Sequence, residues 1–138
     1  SIMFKIEKYG VKKTWDNRFY FNADSPRPLE DSDKVDSDGN KMKDADGNQL
    51  ISYGLKSTWI AKKKAEANFL LSKTDWYITR KEEKDTAIPS AITTERDGIR
   101  TACAGIETKI TNASDLDAFI ALFDRKDNGD PSDMDCYR

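Results

Sequence analysis

Residues 2–9, IMFKIEKY, set Ile2, Phe4 and Ile6 on one side of an extended chain and Lys5 and Glu7 on the other. That two-residue period is the pattern of a half-buried strand. The following VKKTWDNRFYFN reads as two short strands around Asp16-Asn17, a pair tolerant of turn conformations, with Trp15, Phe19 and Phe21 as the inward side chains. Residues 2–22 are therefore expected to form a β-hairpin or a three-strand start.

The pattern then changes. Residues 24–49 hold eight acids (Asp24, Glu30, Asp31, Asp33, Asp36, Asp38, Asp44, Asp46) against four bases, with Leu29, Val35 and Met42 as sparse apolar positions. Such a stretch builds no core of its own, and Pro26 and Pro28 disfavour a central strand. Within it DSDGN (36–40) and DADGN (44–48) repeat one unit eight residues apart. An EF-hand loop needs glycine at position six and glutamate at position twelve. Counted from Asp36, the glycines Gly39 and Gly47 fall at positions four and twelve. The turn reading fits instead: aspartate caps local backbone N–H groups and glycine supplies the left-handed residue of a type I turn plus bulge. Gly39 and Gly47 should mark two hairpin tips joined by Lys41-Met42-Lys43, with QLISYGL (49–55) returning the chain to a main sheet.

Helical spacing begins after residue 55. KSTWIAKKKAEANFLLSK (56–73) carries Ile60, Ala67 and Leu71 on one stripe, with Trp59 and Leu70 alongside and Ser57 or Thr58 as N-cap. Its Lys62-Lys63-Lys64 run reads as a solvated face rather than a nucleic-acid contact. DWYITRKEEK (75–84) suits a short helix or an extended crossing. Pro89 ends it, and Ser90 caps a helix over 91–112 whose stripe is Ile92, Ile99, Cys103, Ile106 and Ile110. Gly98 and Gly105 weaken that helix unless a neighbour packs closely there. A last helix over 115–123 buries Leu116, Phe119, Ile120 and Phe123. The polar tail 124–138 has only Met134 and Tyr137 as anchors, so either a partner holds it or it folds back on its own chain.

These elements predict an α+β fold: one domain over 1–123, β-rich to residue 54 with a polar hairpin excursion at 24–49 and helical from 55, followed by the tail. Composition narrows the chemistry. The 138 residues include no histidine and two cysteines, Cys103 and Cys136. That removes Ser-His-Asp and Cys-His catalysis, His-ligated metals and a four-thiolate zinc site within one chain. On its apolar stripe Cys103 is most simply a core residue. The net charge of −2 argues against a dedicated nucleic-acid binder. No apolar run reaches the roughly 20 residues of a membrane span, and no signal-peptide pattern opens the sequence. The expectation is a non-enzymatic protein without cofactor, made in the cytoplasm. Against the acidic 24–49 stands 55–84, with eight bases and four acids. That asymmetry suits contact within one subunit or between neighbours. The candidate partner contacts are Asp36, Asp38, Asp44, Asp46 and Cys136, with ribbon and tail ordered by neighbouring subunits.

One stretch adds a family likeness. NFLLSKTDWYITRKEEKDTAIPSAITTERDGIR (68–100) resembles a segment of small tail-associated proteins of tailed bacteriophages, including tail-fibre assembly proteins. The pattern is a helix ending in two leucines, Thr-Asp-Trp, a proline, and a helix with arginines four apart. Here those residues are Leu70, Leu71, Thr74, Asp75, Trp76, Pro89, Arg96 and Arg100. Glu95 stands where the pattern often has tyrosine. Physically, Asp75 should cap a turn, Trp76 plug the helix junction and Pro89 set the next helix start. The resemblance implies a virion structural subunit of the tail, tail fibre or baseplate, with other tail or fibre proteins or copies of itself as partners. The alternatives are a tail-fibre assembly chaperone that leaves the particle, and a calcium-dependent binding module or carboxylate enzyme.

Overall fold

The computed structural model describes residues 4–5, 14–124, 126, 128 and 130–135. Short antiparallel strand pairs occupy the N-terminal part and four helices the C-terminal part, an α+β fold. The strands are β1 (Phe4–Lys5), β2 (Thr14–Trp15), β3 (Tyr20–Asn22), β4 (Ser25–Pro26), β5 (Ser32–Asp33) and β6 (Ile51–Ser52). The helices are α1 (Leu55–Ser72), α2 (Asp75–Lys84), α3 (Ser90–Asn112) and α4 (Leu116–Ala121).

No main sheet forms among the described residues. The pairs are β1 with β2, β3 with β4 and β5 with β6. The strands flanking Asp16-Asn17 therefore do not pair with each other. Asp16 instead accepts a backbone N–H from Arg18 at 2.9 Å and grips the Arg18 guanidinium, with Nη2 at 2.6 Å. That salt link to Arg18 holds its carboxyl below the usual carboxylate range. The tight turn so made faces one aromatic ring inward. Phe19 is fully buried, whereas Trp15 and Phe21 are exposed, which corrects two of the three expected inward residues. Strands of two or three residues cannot sustain the alternation of a sheet face, so position in the turn decides burial here. The expected strand over 2–9 falls mostly outside the described residues.

The core is built by α1 against α3, capped by α4. Leu55 and Ala67 of α1 meet Ile99, Cys103, Ile106 and Ile110 of α3, together with Phe119 and Ile120. Phe19 enters this cluster edge-on to Phe119 (centroids 6.0 Å apart) and Phe123 (4.9 Å), and Trp59 stacks edge-to-face on Phe123 at 4.7 Å. Such ring geometries contribute about 0.5–1.5 kcal/mol beyond area burial. The apolar stripe of α3 holds Ile99, Cys103, Ile106 and Ile110 as expected but not Ile92, which lies outside the core cluster; Cys103 Sγ is 3.8 Å from the Lys63 carbonyl oxygen. Asp115 caps α4 by accepting the Ala118 N–H at 2.8 Å.

Helix α1 starts two residues before the expected serine cap, for a tertiary reason. The first N–H groups of any helix lack intrahelical partners. Here Leu55 N donates to Pro28 O (2.8 Å) and Lys56 N to Leu29 O (3.1 Å). Asp31 accepts the Gly54 N–H at 2.7 Å and the Ser57 hydroxyl at 2.6 Å. The Ser57 and Gly54 bonds lower the Asp31 pKa. A Cβ at Gly54 would collide with the carbonyl oxygens of Leu29 and Glu30, so only glycine admits this approach. Helix α3 likewise starts at Ser90 with Pro89, not Ser90, as its N-cap.

The tail is a further correction. Met134 is 3 % exposed and belongs to the core cluster. Asp133 receives Lys109 of α3 at 3.0 Å and Lys126 at 3.2 Å. Residues 130–135 thus fold back on their own chain, the second of the two expected arrangements. Cys136 and Tyr137 lie outside the described residues.

Gly98 and Gly105 have nothing within 4 Å of where a Cβ would stand. No close neighbour compensates for their helix-weakening effect. Gly98→Ala and Gly105→Ala are each expected to raise stability by about 0.5–1 kcal/mol. Chemical denaturation of each variant checks this, and a loss of stability would show a hidden packing requirement.

Candidate functional site

The acidic segment folds as a ribbon closed on itself. In each DxDGN unit the first aspartate serves the turn. Asp36 Oδ1 accepts the Asp38 and Asn40 N–H groups at 2.9 Å, and Asp44 Oδ1 accepts those of Asp46 and Asn48 at 2.9 Å. Gly39 N donates to Asp36 O and Gly47 N to Asp44 O, with glycine φ of 83° and 84°. Asn48 and its neighbours hold the Asp44 carboxyl below its ordinary pKa through these bonds. Asp36 and Asp44, expected as partner contacts, are therefore committed to their own backbone. Asp38 and Asp46 donate only their N–H groups, and their exposed carboxylates are not used by the turn. Among the described residues no three His, Cys, Asp or Glu side chains converge as a metal site would require.

The eight-residue repeat has a consequence that the turn pattern alone does not contain. Lys34, Met42 and Leu50 occupy equivalent positions. Lys34 N donates to Leu50 O (2.8 Å), Leu50 N to Met42 O (3.0 Å) and Met42 N to Lys34 O (2.9 Å). The three bonds form a closed ring. The side-chain amide of Gln49 sits at its centre, Nε2 lying 2.8 Å from Met42 O, 2.9 Å from Leu50 O and 3.2 Å from Lys34 O. A donor with two hydrogens facing three carbonyls suits glutamine, and the first repeat has Lys41 at the equivalent place. That break in the repeat is the sequence signal for Gln49. Gln49→Ala is expected to weaken the ribbon by about 1–2 kcal/mol, the loss of a half-buried amide's bonds. Hydrogen exchange at Lys34, Met42 and Leu50 should then accelerate about 5–30-fold, while exchange in α3 stays unchanged.

The residues singled out between Leu70 and Arg100 divide into a buried and an exposed set. Arg96, 6 % exposed, donates from Nη1 to Leu71 O at 2.9 Å and to Thr74 Oγ1 at 2.7 Å. Its Nη2 lies 3.0 Å from Asp75 Oδ1. One guanidinium thus ties the end of α1 and the start of α2 to α3. Asp75 binds Arg96 rather than capping, and Thr74 is the N-cap of α2. Trp76 does not plug the junction: it is 52 % exposed and stacks on Tyr77, with Arg80 over both rings. A helix period explains this, since Trp76 follows Asp75 on a helix that buries no residue fully. Phe69, 64 % exposed, lies near the end of α1 with Lys73 over its ring. Leu70 and Leu71 pack partly buried against the core. Arg100 is exposed, 3.7 Å from Asp97, so the two arginines of the pattern serve different surroundings.

A cleft lies where the ribbon's root meets α1. It holds about 400 Å³ and is lined by Asn17, Arg18, Arg27, Tyr53, Trp59 and Lys62 among others. Among the described residues no carboxylate lines it. Arg18 is neutralised by Asp16. Arg27 donates to Asn17 O at 2.9 Å and rests on the Phe21 ring, and Lys62 rests on Trp59. Neither forms an ion pair among the described residues. The rest of the lysine run is spoken for, Lys63 by Glu66 at 3.0 Å and Lys64 by Glu107 at 3.4 Å. The sequence reading missed this cleft because its lining comes from three separated segments. Among the described residues no helix is long and apolar enough to cross a membrane.

No protein-family model, curated protein or solved structure matches this chain.

Proposed function

We propose that this chain is a non-enzymatic subunit of a bacteriophage tail, fibre or baseplate, acting through protein–protein contacts. The phage setting rests on the resemblance of residues 68–100. The mode of action rests on one observation: the α1–α2 corner exposes Phe69 and Trp76, with half-buried Tyr77 and Arg80 against the Trp76 ring, and towards the other end of α1 the cleft is lined by Arg27 and Lys62. Exposed tryptophan, tyrosine and arginine are the residues that dominate binding energy at protein interfaces. Arg96, rather than these rings, ties the helix junction together. The histidine-free composition further supports a binding role over catalysis.

Mass spectrometry of purified phage particles tests the reading. A structural subunit is retained in the particle in a fixed ratio to other tail proteins. Presence in infected-cell extract with absence from particles would replace this reading with that of an assembly chaperone.

A further inference from the structure

The cleft at the ribbon's root and the aspartates at its tips have opposite and matching chemistry. The cleft offers two cations without carboxylate partners among the described residues, Arg27 and Lys62, between the aromatic walls of Tyr53 and Trp59. The tips offer two carboxylates that the fold does not use, Asp38 and Asp46, on loops held by Asp36 and Asp44. The geometry points to the cleft as the receptor for the DxDGN tips of a second copy of this chain. This deepens the proposed function by naming one partner of the interaction surface, and it rests on that reading.

The charge match between tips and cleft names a second copy as the occupant, and three observations keep the tips from the cleft of their own chain. Tyr53 and Gly54 of the cleft adjoin β6 at the root, while Asp38 lies beyond Asp33, Lys34 and Val35, which are paired with Ile51, Leu50 and Lys41. The hydrogen-bonded ring of Lys34, Met42 and Leu50 keeps the ribbon from folding back onto its root. Residues 31–41 and 43–48 are all exposed, so the chain itself leaves the tips open. The resulting contact joins two different surfaces, and head-to-tail contacts of that kind generate rings or open filaments. Its polar character predicts association steered by charge and weakened by salt.

The test uses the full chain and a pair of charge reversals. Variant one carries Asp38→Lys and Asp46→Lys, positions whose side chains the turns do not need. Variant two carries Arg27→Glu and Lys62→Glu. Circular dichroism checks that both remain folded. In sedimentation velocity the wild type should associate at low salt and dissociate as the Debye length falls from ~30 Å at 0.01 M to ~3 Å at 1 M. Each variant alone should lose association by more than about tenfold, since like charges then face each other. Mixing the two should restore it, because each ribbon again meets a cleft of opposite sign. A wild type that stays monomeric, or association that survives both variants, overturns the inference. So does a mixture that stays monomeric. A monomeric wild type that binds a fluorescent oligonucleotide through Arg27 and Lys62 would assign the cleft to a polyanion instead. Particle mass spectrometry separates this inference from the reading beneath it. A chain present in particles but monomeric loses only the self-contact. A chain absent from particles but self-associating loses only the virion role.

Discussion

Replacing Phe19 with alanine should cost about 3–5 kcal/mol, the usual loss for a fully buried phenylalanine. That is a large share of the roughly 5–15 kcal/mol by which domains are stable. The size follows from its position. Phe19 sits in the turn between β2 and β3, and among the described residues before Leu55 it is the one side chain in the buried cluster. Its ring meets Phe119 and Phe123 edge-on, and the Arg18 guanidinium lies 4.8 Å from its centroid. Alanine would leave a void bounded by two aromatic rings and remove the one fully buried tie between the described N-terminal residues and the helices, leaving the half-buried Tyr20 and Leu29. Urea denaturation followed by tryptophan fluorescence measures the change. Phe19→Leu, closer in volume, should cost less than half as much. A cost below about 1 kcal/mol for the alanine variant, the range of ordinary surface substitutions, would mean that the N-terminal turn does not belong to the core.

The second large effect is expected at Arg96. Arg96→Ala should destabilise by about 2–3 kcal/mol, the range for hydrogen bonds made by a charged donor whose acceptors stay behind. The buried end matters more than the ion pair. Asp75 is exposed, so Asp75→Asn should cost less than about 1 kcal/mol. Leu71 O and Thr74 Oγ1 receive the same Nη1 inside the junction. Arg96→Lys should recover little, because a single ammonium cannot reproduce the planar fork that meets three oxygens on two elements. Equal losses for Asp75→Asn and Arg96→Ala would place the energy in the ion pair and refute this division. The Arg96 variant should also loosen α2, which has no buried residue of its own to hold it. Hydrogen exchange over 75–84 would report that directly.

Local rules were legible in the sequence wherever one residue type meets one backbone need. Gly39 and Gly47 take positive φ because a type I turn with a bulge requires it, and Asp36 and Asp44 satisfy the N–H groups that such turns expose. The stripe Ile99, Cys103, Ile106 and Ile110 marks the core face of α3 because helical period alone aligns those positions. Tertiary structure decided the rest. The start of α1 depends on carbonyls at Pro28 and Leu29, which spacing near Ser57 cannot reveal. Arg96 reaches the α1–α2 junction from another helix while Trp76 stays exposed, and Met134 is buried where Lys109 of α3 holds Asp133 of the polar tail. The Gln49 ring and the Arg27–Lys62 cleft need residues from separated segments to meet. Periodicity reports which side of an element is apolar. It does not report what will cover that side, and that choice is made by contacts between residues far apart in the chain.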